Sequence, residues 1–290
     1  MPKLRLLLLL CLVSHQSIAS ILPENSQAIP ISDKKEGLTE AQYNQVIDKV
    51  ESTYRSIVEK SGHKLTINRL WEDPRVNAGT TKKGKEWILN MYGGYARHSS
   101  VTEDAYALVM CHELGHHMGG NPKKIFDSGN TGWPSVEGQA DYFATLKCLR
   151  KIFRKDDNSA AIVEKEIPPL VKEKCTTAFK EAWEVAICIR TTLAGLSVSA
   201  ISADIRNTEM PAIDTPDSTV VEETYEHHPI PQCRLDTYFQ GSICSVSSSR
   251  PLGSEDEVTG TCHKVMGHKD GTRPNCWFKE KYEEKPVSLR

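Results

Sequence analysis

The sequence predicts an α+β protein, on three observations. Capped segments of helical period dominate the ordered length, two short strand-like runs fall between the first two of them, and the chain beyond about residue 240 is Cys-rich with little periodicity. Thr39 to Gln42 is a capping box. Val46, Ile47, Val50, Tyr54, Ile57 and Val58 follow at helical spacing, and Gly62 stops the helix. Lys64 to Trp71 alternates as a strand, and Glu86 to Tyr92 is a more apolar one ending at Gly93 and Gly94. A second capping box, Ser100 to Glu103, opens a helix running to about Met118 and closed by Gly119 and Gly120. Further helices are expected from about Ser135 to Phe153 and from Ile162 to Leu196, the latter broken near Pro168 and Pro169. Residues 198–231 read as loop. The Ser- and Gly-rich end, 241–290, reads as an irregular extension braced by disulfides, since it lacks the apolar content for a core of its own.

Before these elements lies an export signal. Lys3 and Arg5 precede the apolar run Leu6–Val13, and Ser17 and Ala19 suit a cut after Ala19, so residues 1–19 are assigned to a signal peptide. That run is too short to span a bilayer, and no later one reaches the length expected of an integral membrane segment. Residues 20–38, with Pro23 and Pro30, read as an extended tail, a disordered mature N-terminus in preference to a short propeptide.

Overall the 290 residues are 26% charged and 39% hydrophobic, and 36 basic against 38 acidic residues give a net charge of -2. Nucleic acid is excluded as a partner, because counterion release needs a basic stripe and the one cluster, Lys82, Lys83 and Lys85, reads as a solvated turn. Beyond the signal remain Cys111, Cys148, Cys175, Cys188, Cys233, Cys244, Cys262 and Cys276. An even number without any CxxC favours disulfides over a zinc ribbon, and a secreted or periplasmic location. If 174–197 is one helix, Cys175 and Cys188 stand about 20 Å apart and cannot bridge. The expected pairing joins the last four cysteines among themselves and Cys148 to Cys175 or Cys188.

The chemistry is concentrated in Cys111-His112-Glu113-Leu114-Gly115-His116-His117. Four residues apart on a helix, His112 and His116 project from one face and suit two ligands of a tetrahedral zinc. Glu113, about 100° around, can reach a water held there. The pattern is short, so context decides. Glu137-Gly138-Gln139-Ala140-Asp141 follows on its own helix. Glu137 can serve as third ligand, and Asp141, one turn on, can orient a ligand histidine through its other ring nitrogen. The competing reading of Glu137 and Asp141 is a solvated acidic face.

Together HExxH and ExxAD resemble the gluzincin metallopeptidases of the HtpX and CAAX-prenyl-protease type. Val76-Asn77-Ala78 before an apolar strand, and His228-Pro229 followed by Arg234 after four intervening residues, are similar to two further family segments. The likeness covers about residues 38–240. It implies a zincin-like fold, with a small sheet packed on the active-site helix and a metallopeptidase domain over 39–240. It implies one Zn2+ on His112, His116 and Glu137, with Glu113 as general base. It also implies His228 near the metal as a stabiliser of the tetrahedral intermediate, Arg234 close by in a polar role, and an extended peptide held on an edge strand. That edge is assigned to Trp87, Ile88, Leu89, Asn90 and Met91, whose plain reading is a core strand. Many relatives are integral membrane proteins, which this chain is not expected to be.

His117 and His227 are read as non-ligands, and His63, His98, His263 and His268 as solvated. The expected function is a zinc-dependent endopeptidase acting on peptide or protein substrates by a zinc-activated water. The alternatives are a catalytically silent zinc-binding chaperone-like or interaction module, and a zinc amidase acting on a non-peptide substrate.

Overall fold

The computed structural model describes residues 19–33, 37–126 and 128–281, so all but the last residue of the expected signal peptide lies outside the described residues. The fold is α+β. Helix α1 (Glu40–Lys60) starts at the expected capping box, with Thr39 Oγ1 accepting from Gln42 N and Gln42 Oε1 accepting from Thr39 N at 3.0 Å. It buries Tyr43, Val46, Ile47, Val50, Tyr54 and Val58, one face at the spacing read from sequence. Each such aliphatic side chain contributes about 1.5–3 kcal/mol relative to exposure.

After the short strand β1 (Ala19–Ser20), the sheet contains β2 (Lys64–Leu70), β3 (Ala78–Lys83) and β4 (Glu86–Tyr92), in the order β1-β3-β4-β2. β2 and β4 are parallel, β3 is antiparallel to β4, and β1 is antiparallel to β3. Two expectations change here. Lys82 and Lys83 belong to β3 rather than to a turn, and β4, assigned as the edge, is an inner strand whose Trp87, Leu89 and Met91 face the core. β3 was hidden because Ala-Gly-Thr-Thr-Lys-Lys shows no apolar alternation. Pairing with β4 along its whole length forms it instead.

A short turn, α2 (Gly93–Ala96), leads to α3 (Glu103–Met118). Its N-cap is Thr102, whose side chain accepts from Ala105 N at 3.1 Å, rather than Ser100. Ala105 to His116 are all buried, because α3 runs under the sheet with helices on its other sides. A hairpin, β5 (Lys123–Ile125) with β6 (Thr131–Ser135), delivers the chain to α4 (Glu137–Phe143). That helix widens to a π-turn over Ala144–Leu149 and ends through α5 (Arg150–Ile152). After α6 (Asn158–Ile162) come α7 (Pro169–Ala178), α8 (Ala182–Arg206) and, after a long loop, α9 (Pro231–Ile243). α9 was not foreseen, and it runs across the expected boundary at 240/241.

All eight cysteines pair: Cys111–Cys148, Cys175–Cys188, Cys233–Cys276 and Cys244–Cys262. The last four bridge among themselves, as expected. The other pairing is corrected, because 174–197 is not one helix. Phe179 is extended, the chain breaks between α7 and α8, and Cys175 and Cys188 come to a Cα separation of 5.7 Å. No Pro or Gly marks that break. The four bridges fit an oxidising compartment. Among the described residues only α8 is long and apolar enough to cross a membrane, and 67% of its apolar window is buried inside the protein.

Candidate metal centre

Two glycines let the ligand helices meet. At Gly115, between the two histidines of α3, a Cβ would lie 2.8 Å from the Ala140 carbonyl oxygen; at Gly138 a Cβ would strike the Trp277 ring at 2.2 Å. α4 is thus pressed against α3 on one side and cradled by Trp277 on the other, and this aims Glu137 at His112 and His116.

His112 Nε2 and His116 Nε2 lie 3.1 Å apart, and Glu137 Oε2 stands 3.3 and 3.5 Å from them. Tetrahedral bonds of about 2.0–2.1 Å give ligand separations of about 3.3 Å, so the three atoms match three corners of a zinc tetrahedron. All three residues are fully buried, and Glu137 Oε2 has no hydrogen-bond partner. The far ring nitrogens are fixed. His112 Nδ1 donates to Asp141 Oδ1 at 2.6 Å, and His116 Nδ1 donates to Ser135 O at 2.9 Å, which leaves both Nε2 lone pairs facing the cluster. The donor set, two imidazoles and a carboxylate, is one that zinc takes.

Glu113, Glu137 and Asp141 are buried against the cations Arg234 and Lys124. Burial pushes the Glu113 carboxyl up to about 8; His112 opposes this, Glu137 adds to it, and Arg234 and the Ile21 amide pull it down. Neither Glu113 oxygen has a hydrogen-bond partner, and the Ile21 N–H beside it donates to Ala78 O at 3.2 Å. Burial would raise Asp141, but Arg234 and His112 outweigh it and hold the carboxyl near about 2.

Arg234, on α9, is fully buried. It donates from Nε to Asp141 Oδ2 at 2.8 Å, from Nη2 to Oδ1 at 2.7 Å, and from Nη1 to Ile21 O. Tyr238, one turn on, donates to Asp141 Oδ1 at 2.6 Å. His228 stands beside the cluster, with Nε2 3.5 Å from Glu137 Oε2 and donating to Ser20 O at 2.8 Å. Burial lowers its pKa to about 4.

Of the expected site residues, His112, Glu113, His116, Glu137, Asp141, His228 and Arg234 come together. Trp87, Ile88, Leu89, Asn90 and Met91 offer no free edge, because β3 lies between them and β1. Two participants were missed. Lys124 Nζ holds Glu137 Oε1 at 2.7 Å, and Tyr238 completes the Asp141 network. No motif flags Lys124, whereas Tyr238 follows Arg234 at i,i+4 once α9 is known.

The other histidines divide. His117 is no ligand: its Nε2 bonds Thr80 Oγ1 at 2.8 Å and its ring stacks between Trp87 and Trp133. His227, read as a non-ligand, is exposed and stands outside the cluster. Two are corrected from the solvated reading: His98 is buried and bonds Asp204 at 2.9 Å, and His263 is buried beside Glu280.

The tail is corrected too. Ala19, Ile21 and Leu22 are buried, and residues 19–29 run beside 74–80. No known protein family, curated protein or solved structure matches the chain.

Proposed function

We propose that this protein is an exported zinc-dependent endopeptidase with a zincin-like fold of the gluzincin type. The carrying observation is the tetrahedral fit of His112, His116 and Glu137, with the unpartnered carboxylate of Glu113 buried beside it. His112, His116 and Glu137 would hold one Zn2+, which when bound supplies Lewis-acid polarisation of a carbonyl and acidification of a water. Glu113 takes the proton from that water and returns it to the leaving amine. His228, through Nε2–H, donates to the carbonyl oxygen as negative charge develops on it. Arg234 binds a neighbouring peptide carbonyl, and the side of β3 that β1 covers is where the main chain of an extended peptide can pair. Asp141 keeps the His112 ring turned so that Nε2 faces the ion.

The test is zinc content and peptide-library cleavage on the purified protein and its Glu113→Gln variant. One zinc in each, with cleavage only where Glu113 is retained, is the expected result. Zinc in neither would remove the ligand assignment, and equal cleavage by both would remove Glu113 as base. His112→Ala and Glu137→Ala are expected to lose the metal.

A further inference from the structure

Four successive backbone groups of the N-terminal segment are bonded, two to the site residues His228 and Arg234 and two to Asn77 and Ala78. Ser20 O accepts from His228 Nε2 at 2.8 Å, Ile21 N donates to Ala78 O at 3.2 Å, Ile21 O accepts from Arg234 Nη1, and Leu22 N donates to Asn77 Oδ1 at 3.2 Å. Asn77 Nδ2 returns a bond to Leu22 O at 3.2 Å. The carbonyl of one peptide bond, Ser20–Ile21, is therefore held by His228, the group assigned to the carbonyl oxygen, and its amide by the main chain of Ala78. Ile21 and Leu22 are 0% exposed.

From these contacts we infer that Ser20–Leu22 occupies the cleft in the register of a peptide substrate, with Ser20–Ile21 where a scissile bond would lie, so that the chain keeps its own site closed to other peptides. This rests on the peptidase reading. The pairing of β1 with β3 takes the edge an outside peptide needs, in the same antiparallel sense. The contacts from Ser20 onward do not require Ala19. Past Pro23 the segment is more exposed, at Glu24, Ser26, Gln27 and Ala28, and a cavity of about 490 Å³ lined by Ser20, Asn25, Asn77 and Tyr92 opens beside it. The occupied state lowers the apparent affinity for any competing peptide by the fraction of molecules in which the segment is displaced.

The experiment uses the full chain, zinc-loaded, in a Glu113→Gln background so that nothing turns over. A fluorescent peptide copying Ser17–Glu24 is the probe. Binding is compared among chains carrying native Ile21, Ile21→Asp and Ile21→Pro; the proline keeps apolar bulk but removes the N–H that bonds Ala78. Both variants are expected to bind the probe at least about ten-fold tighter than the native segment, with faster amide exchange confined to residues 19–31. Equal affinity in all three chains would overturn the inference, and if Ile21→Asp unfolds, the proline variant decides.

The two readings fail separately. If the Ile21 variants bind the probe more tightly yet cleave no peptide library when Glu113 is restored, occlusion stands and the peptidase reading falls. If the native chain cleaves a library as fast as the variants do, occlusion falls and the peptidase stands.

Discussion

The half of the molecule around α1, the sheet and α3 and the half around α7 to α9 with the C-terminal extension are stabilised differently. The first shares one large apolar core, running from Ile21 through Val58 and Leu89 to Leu114, and on into α4, α5 and α8. Only one disulfide, Cys111–Cys148, lies within it. The second divides its apolar residues among three small clusters, each containing at least one disulfide: Cys175–Cys188 under α7, Cys233–Cys276 beside Trp277, and Cys244–Cys262 beside Tyr142. Where burial suffices the chain is left unbridged, and where clusters are too small to hold alone they are stapled. The candidate metal centre sits at the seam, with His112 and His116 from α3, Glu137 from α4 and the Asp141–Arg234 bond reaching across to α9.

The sharpest way to break that seam is Asp141→Ala. It leaves the Arg234 guanidinium buried without its carboxylate and frees the His112 ring, and should lower unfolding free energy by about 3–5 kcal/mol with loss of zinc affinity. Denaturant unfolding with zinc titration reads both. The comparison of halves is tested by two bridges of similar span. Chain entropy assigns about 4 kcal/mol to Cys233–Cys276 and to Cys111–Cys148, whose sequence separations are 43 and 37. Replacing Cys233 and Cys276 by Ser should open the Trp277 region locally in hydrogen exchange, whereas replacing Cys111 and Cys148 should lower global stability without local opening. The same pattern for both pairs would erase the distinction.

Gly138→Ala drives a methyl into the Trp277 ring, the contact by which the extension cradles the ligand helix. A loss of about 1–3 kcal/mol in thermal unfolding is expected. Lys147 gives the most selective probe of the extension. Buried, with Nζ donating to Ser247 O at 2.8 Å, it has its pKa lowered by burial to about 7. Between about pH 7 and 10 the unfolded chain then carries the extra proton, so stability should rise with pH, by at most about 1.4 kcal/mol per unit. Lys147→Met should flatten that slope in pH-dependent urea unfolding.

What the sequence made legible follows the range of the interactions. His112 and His116 at i,i+4, and Glu137 and Asp141 at the same spacing, declare themselves because one helix turn places both members of each pair. The α1 face and its capping box are local in the same sense. β3 and the Ser20–Leu22 contacts were invisible because they depend on backbone pairing between segments far apart in the chain, and main-chain groups leave no mark on side-chain pattern. The Cys175–Cys188 bridge was misjudged for a related reason: a break at Phe179 interrupts a run whose periodicity continues across it. Lys124 reaches Glu137 only because the β5–β6 hairpin folds back over α4, which no spacing encodes.

The Cys111–Cys148 bridge begins one residue before His112 and ends just past the helix that carries Glu137. It ties the two ligand-bearing stretches together before any ion arrives, so the ion need not organise them. Metal affinity and thiol redox state are thereby linked quantities. Reduction should loosen zinc as well as the fold, and bound zinc should make that bridge harder to reduce, since an ion that binds the bridged form more tightly must favour it by the same factor.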